Sequence, residues 1–247
     1  MRKICICLSK GGVGKSSTAV SLAHGLSLKG KKILLIDTDE QGQCSSMLGI
    51  SPKYSIADVI TKKINIKEAI FKARENLHIL AGGPDLAAAK REIGQKPYSP
   101  EKILSEICAP IENCYDIVIM DTSPSFDTLT INCLFYANEV MIPVSLEPLT
   151  LDSLKIFMQR IGGVCQYHQK LKINYILPTF EDKRVKKSSE ILKILKKHYN
   201  DILCPSIRYS VKMSECPGHG KTIFEYSPAD RCAQDYSNLV KKVLKNG

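Results

Sequence analysis

Residues 9–17 read Ser-Lys-Gly-Gly-Val-Gly-Lys-Ser-Ser, a glycine-rich stretch that carries two lysines, Lys10 and Lys15. Gly11, Gly12 and Gly14, with Val13 between them, let backbone N–H groups turn toward phosphate oxygens without a Cβ in the way. In such a loop Lys15 supplies a point charge to the terminal phosphates, the Ser16 hydroxyl is the expected Mg²⁺ ligand, and Ser17 completes the cradle. The stretch nearly fits the spacing G-x-x-x-x-G-K-[ST], except that Ser9 stands for the first glycine and Lys10 follows it. One lysine is enough to reach the phosphates, so the second needs another task.

Two further groups have chemistry of their own. Asp37-Thr38-Asp39-Glu40-Gln41-Gly42-Gln43 follows an apolar run. Asp37 and Asp39, two residues apart, can serve Mg²⁺ and an attacking water, or Asp can cap a helix that starts near Gln43. Asp121 ends the run Asp-Ile-Val-Ile-Met and precedes Thr122-Ser123-Pro124. An acid at the end of a hydrophobic strand opposite a phosphate loop holds Mg²⁺ through water. Ser16, Asp39 and Asp121 are therefore the candidate metal residues.

These groups must sit on elements that bring them together. The hydrophobic pattern predicts buried strands at 3–8, 32–37, 77–80, 116–121, 139–143 and 173–177, and helices at 16–29, 85–95, 100–109, 149–167, 188–198 and 230–245, with short helices over 54–73. Continuous apolar strands separated by helices imply a mostly parallel α/β sheet covered on both faces. Ligands bind at the carboxyl ends of such strands, where all three groups fall. No linker, repeat or low-complexity segment interrupts the pattern, which predicts one domain over residues 1–247.

Composition narrows the class. No apolar run approaches the ~20 residues needed to cross a bilayer, and the apolar stretch at the N-terminus is too short for a signal peptide. The ten cysteines form no C-x-x-C pair and no zinc spacing. They read as reduced thiols in a cytoplasmic protein. The net charge of +10 is unevenly placed: residues 1–150 hold 17 Lys/Arg against 16 Asp/Glu, and the remaining residues 18 against 9. Such a basic half is either a solvated face or a polyanion-binding surface.

The segments SKGGVGKSS, LLIDTDEQGQ and YDIVIMDTSPS resemble the deviant Walker A ATPases of the ParA/Soj and MinD group. AGGPDLAAAKRE and MSECPGHGKTIFEYSPADRCAQDYSNL extend the likeness along almost the whole chain. The resemblance implies the phosphate-loop NTPase fold, ATP and Mg²⁺ as cofactors, and a homodimer that sandwiches ATP. It makes Lys10 the signature lysine that reaches the partner's nucleotide, while Lys15 serves its own. Asp39 then matches the residue that orients the hydrolytic water, Asp121 the outer-shell Mg²⁺ acid, and residues 122–127 the switch that senses nucleotide state. Departures from the family pattern are Glu40 for a proline, Gln43 for an asparagine, Ser123 for the first of two prolines, and Cys216 for an alanine. Glu40 adds negative charge beside Asp39.

The branches of the group differ in the surface they use. MinD-type members end in an amphipathic helix for a membrane surface. The apolar stripe of the tail here (Tyr236, Leu239, Val240, Val243, Leu244) is what packing on the fold requires, so no stable membrane insertion is expected. Soj-like members bind duplex DNA nonspecifically through basic residues of the C-terminal half. By that resemblance the candidates are Arg208 and Lys212 first, then Lys183, Arg184, Lys186, Lys187 and Lys221, with Lys241, Lys242 and Lys245 behind them. The segment 206–210 is the expected adenine contact. No N-terminal helix-turn-helix extension is expected, since the first strand starts at residue 3. Iron–sulfur relatives are set aside because the switch carries no cysteine. The expectation is a weak, partner-stimulated ATPase that partitions a plasmid, chromosome or other cargo with a ParB-like protein, in the cytoplasm and on the nucleoid. Its rivals are a MinD-like membrane switch and a nucleotide-gated scaffold with negligible turnover.

Overall fold

The computed structural model describes residues 1–246. Seven strands form one sheet: β1 (Arg2–Ile6), β2 (Ile33–Asp37), β3 (Phe71–Arg74), β4 (Leu77–Leu80), β5 (Ile117–Asp121), β6 (Glu139–Ser145) and β7 (Lys172–Thr179). Their spatial order is β3-β4-β2-β5-β1-β6-β7. All neighbours pair in parallel except β3 with β4. The early strands β1 and β2 are thus not adjacent, because β5 lies between them and bonds to both.

The helices are α1 (Lys15–Ser27), α2 (Gln43–Leu48), α3 (Ile56–Ile60), α4 (Ile66–Ala69), α5 (Leu86–Gly94), α6 (Ile103–Cys108), α7 (Thr128–Tyr136), α8 (Pro148–Tyr167), α9 (Lys186–Tyr199), α10 (Val211–Glu215), α11 (Ile223–Tyr226) and α12 (Arg231–Lys245). They cover both faces. Successive strand residues point to opposite sides, so in β2 Leu34 and Ile36 join α3 and α5–α9 in one core, while Ile33 and Leu35 join α1, α2, α11 and α12 in the other. Two buried faces are why these strands read as unbroken apolar runs.

Several elements differ from expectation, among them the short helices α10 and α11, which the hydrophobic pattern did not predict. Residues 71–74 form a short antiparallel edge strand, not helix. Asn76, at φ 56°, turns the chain into β4, a left-handed conformation that asparagine tolerates, and pairing outweighs the local helical pattern. Helix α7 had no counterpart in the apolar periodicity. It is started by Asp127, whose carboxylate accepts the Thr130 N–H at 3.0 Å. The apolar face of α12 is spent in the core, with Cys232, Ala233, Tyr236, Leu239, Val240 and Val243 buried, as its stripe required. No helix among the described residues is long and apolar enough to cross a membrane.

Candidate nucleotide site

The carboxyl ends of β1, β2 and β5 open onto a cavity of about 510 Å³. Its walls include Gly11, Gly12, Gly14, Lys15, Ser16 and Ser17 of the glycine loop, Asp39 and Glu40 after β2, and Ser123 after β5. Gly12 and Gly14 hold φ of 70° and 86°, values that exclude most side chains and aim the N-terminus of α1 at the cavity. Gly14 caps that helix with no side-chain acceptor, so its first N–H groups are free for an anion. The loop is braced from β7, where the Thr179 hydroxyl donates to the Val13 carbonyl at 2.9 Å.

The two lysines go to different places. Lys15 lines the cavity and its ammonium donates to the Lys10 carbonyl at 2.9 Å. Burial pulls its pKa down while Asp121 and Asp39 pull it up. Lys10 instead leans to the start of α8, donating to the Thr150 hydroxyl at 2.6 Å and the Glu147 carboxylate at 3.3 Å.

Asp121 and Asp37 are both fully buried. They are paired in register on adjacent strands, β5 and β2. Burial pushes the Asp121 carboxyl up to about 7, and the charge of Asp37 adds to the rise. Burial also raises Asp37, to about 6, against the N–H groups of Asp39 and Cys44 that favour its charge. Asp121 Oδ2 accepts from the Cys44 thiol at 3.3 Å, whereas Oδ1 is buried without a partner. An unanswered carboxylate oxygen close to the Ser16 hydroxyl suits a hard cation that favours oxygen ligands, such as Mg²⁺. The residues therefore fit the metal expected.

Asp39 is half-buried on the cavity wall, and its backbone carbonyl accepts the Gly42 and Gly83 N–H groups at 3.0 and 3.1 Å. A Cβ at Gly82 would lie 2.6 Å from that same carbonyl, so the segment after β4 supports this loop from behind. It is Asp37, not Asp39, that meets Asp121 within a group of ligand atoms lying within 4.8 Å of one another. Sequence reading noted Asp37 but gave the metal role to Asp39, and it passed over Cys44 and Lys90. Glu40, read as added negative charge, is answered by the Lys90 ammonium at 2.7 Å.

Beside the phosphate loop lies an apolar cleft of about 140 Å³ walled by Gly14, Phe180, Met213 and Tyr236. Of the segment expected at the adenine, Ile207, Arg208, Tyr209 and Ser210 reach it.

The basic candidates divide. Lys183, Arg184, Lys186, Lys187, Lys212, Lys221, Lys241 and Lys245 are exposed. Arg184 is held by Asp182 at 2.7 Å and Lys212 by Glu215 at 3.1 Å. Lys242 anchors to the Leu203 carbonyl. Arg208 grips the buried Asp235 with two guanidinium nitrogens, at 2.9 and 2.7 Å, and donates to the Arg231 carbonyl. Its charge is committed to the fold. The exposed face of α9 adds Lys193, Lys196 and Lys197.

A strand–glycine loop–helix unit beside two strands that end on buried acids defines a phosphate-loop nucleotide-binding protein. A family model described as an AAA domain matches residues 1–173. The chromosome-partitioning ATPase Soj of Treponema pallidum is 33% identical over 238 residues, spanning 95% of this chain and 94% of that protein. The sporulation initiation inhibitor protein Soj of Bacillus subtilis is 34% identical over 251 residues, spanning 99% and 98%. Cobyrinic acid a,c-diamide synthase of Mycobacterium smegmatis, solved with an ATP analogue and magnesium, superposes with a TM-score of 0.87 at 26% identity, covering 100% of this chain and 95% of that one. The chain belongs to the ParA/Soj-type partition ATPases.

Proposed function

We propose that this protein binds Mg²⁺–ATP, closes into a sandwich dimer around it, and in that state binds duplex DNA without regard to sequence. Slow hydrolysis, stimulated by a ParB-like partner, releases the DNA, and repeated cycles position a plasmid, chromosome or other cargo. The protein would work in the cytoplasm, on the nucleoid.

The observation that carries this reading is the separation of the lysines. Lys15 lines its own cavity, while Lys10 leans out toward α8. An ammonium outside its own cavity is suited to another protomer's phosphate, which makes dimerisation depend on the γ-phosphate. Ser16 and Asp121 would hold Mg²⁺, whose charge would offset that of the phosphates. Asp39, on the cavity wall, would orient the attacking water. The cleft at residues 207–210 would take the adenine.

DNA contacts fall to the exposed cations: Lys183, Arg184, Lys186 and Lys187 leading into α9, then Lys212 and Lys221. Arg208 contributes by fixing the segment that leads into α10, the helix that carries Lys212. A membrane-surface role has no free face on α12, whose apolar side is buried. Glu40, whose added charge beside Asp39 would favour a scaffold with negligible turnover, has that charge met by Lys90.

The test is binding to nonspecific duplex DNA with ATP and with ADP across a salt series. Tight, salt-sensitive binding with ATP alone, lost in Lys10→Ala, is the expected result. Equal binding with both nucleotides, or full binding by Lys10→Ala, would overturn the reading.

A further inference from the structure

The segment 81–92, Ala-Gly-Gly-Pro-Asp-Leu-Ala-Ala-Ala-Lys-Arg-Glu, has no task in the proposal above, yet its Lys90 reaches the wall of the cavity. Its Lys90, on α5, is mostly buried and places one ammonium between two carboxylates from separate loops. Glu40 Oε1, after β2, lies at 2.7 Å, and Asp127 Oδ2, after β5, at 2.5 Å. Asp127 in turn gathers the Ser125 hydroxyl at 2.8 Å and caps α7 through the Thr130 N–H. Glu40 is the immediate neighbour of Asp39, and Lys90 itself lines the nucleotide cavity.

From this geometry we infer that Lys90 is a positioning residue for ATP hydrolysis: it ties the loop of Asp39 to the loop 122–127 and so sets where Asp39 stands over the phosphates. The inference rests on the ATP-hydrolase reading and deepens it.

The physical argument has three parts. First, Glu40 beside Asp39 without a counter-charge would repel it and open the loop, and Lys90 supplies that charge at hydrogen-bond distance in a partly desolvated place, where such a pair is stronger than on the surface. Second, the Asp39 loop is already clamped from behind by the Gly83 N–H on the Asp39 carbonyl. The same segment therefore holds the loop at two points, by backbone at Gly83 and by charge at Lys90. Third, one cation shared by two loops couples their motions, because displacing either carboxylate leaves the other over- or under-compensated. A displacement of loop 122–127 would then be felt at Asp39, though Asp127 does not line the cavity.

The measurement is single-turnover hydrolysis of Mg²⁺–ATP by the full chain with duplex DNA, alongside the Kd of a fluorescent ATP analogue. Lys90→Met is expected to slow hydrolysis on the order of tenfold with Kd changed less than about twofold. Lys90→Arg, which can span both carboxylates, should stay within about threefold of the wild type. Lys90→Glu combined with Glu40→Lys should recover rate relative to either single change. Unchanged hydrolysis in Lys90→Met would overturn the inference, and so would an equal loss in Lys90→Arg, which would signal a mere packing defect.

A second readout is independent of activity. Amide hydrogen exchange over residues 39–43 and 122–130, without nucleotide, should accelerate together in Lys90→Met and return in Lys90→Arg. If the wild type hydrolyses no ATP, the ATPase reading fails while this exchange still decides whether Lys90 couples the loops. Acceleration of one loop alone would overturn the coupling.

Discussion

Around the nucleotide cavity the charges are fixed by specific partners, whereas along α9 they stand in water. Lys10, Lys15 and Lys90 each have a hydrogen-bond partner in the fold. Lys187, Lys193, Lys196 and Lys197 are exposed on α9, and Lys186 meets Glu190 only at 4.0 Å. On the function proposed above, the two regions answer different problems. A nucleotide's phosphates must be held in one place, so the cations that meet them are desolvated and oriented in advance. A duplex read without regard to sequence needs only density of charge, and its binding comes from counterion release. The same residue type thus serves geometry in one region and concentration of charge in the other.

That contrast can be broken by exchanging the readouts. The largest effect is expected at Lys15→Ala, which should weaken ATP binding by about a hundredfold or more, since it strips a partly desolvated cation from an anion site. Calorimetry or a fluorescent analogue would measure it. Retained affinity would mean that the cavity lysines act as loosely as those of α9. Next, Lys186→Ala with Lys193→Ala and Lys197→Ala should lower the salt slope of DNA binding by about one per lysine, alike for any sequence, and leave ATP affinity unchanged. A shifted ATP affinity would join the two regions that the structure separates.

Arg208 tests the border. Its bidentate grip on Asp235 makes Arg208→Ala a stability variant, costing roughly 2 kcal/mol in denaturant unfolding, with the DNA salt slope unmoved. A fall in slope without loss of stability would return Arg208 to the DNA face.

The smallest effect concerns His24, buried on α1 with Nδ1 2.6 Å from the Thr222 hydroxyl. Burial lowers its pKa, with Glu225 opposing that shift and Arg74 adding to it. Because the folded value is depressed, the stability it contributes is present above about pH 6.5 and is lost as pH falls through the folded pKa. Thermal unfolding of the wild type and His24→Gln at descending pH should show a shallower decline in the variant. Parallel curves would assign the acid sensitivity elsewhere.

The glycine loop and the strand-end acids were legible in the sequence because each is a local pattern: the residues that do the work adjoin the turn that places them. Lys90 was not, since its partner Glu40 lies 50 positions away and only the packing of α5 brings the two together. The pairing of Asp37 with Asp121 was hidden for a related reason. It depends on lateral register between β2 and β5, which a strand's own residues do not state. Arg208 and Lys212 look alike as basic residues four apart, and only the fold distinguishes the one committed to Asp235 from the exposed one that a nearby glutamate holds at the surface. At 71–74 a local helical reading yielded to a hairpin turned by a single asparagine.

The insertion of β5 between β1 and β2 also bears on how the chain is made. The phosphate loop is made before β5, but Arg2 pairs with Ile117 and Ile33 with the same Ile117. Until β5 has emerged, β1 and β2 lack the strand that lies between them. β2 can meet β4, but β1, whose partners β5 and β6 both come later, stays unpaired through that interval, the circumstance in which long-range pairing is slow and aggregation is a hazard. The element that completes the nucleotide site is therefore also the one whose synthesis ends the vulnerable period.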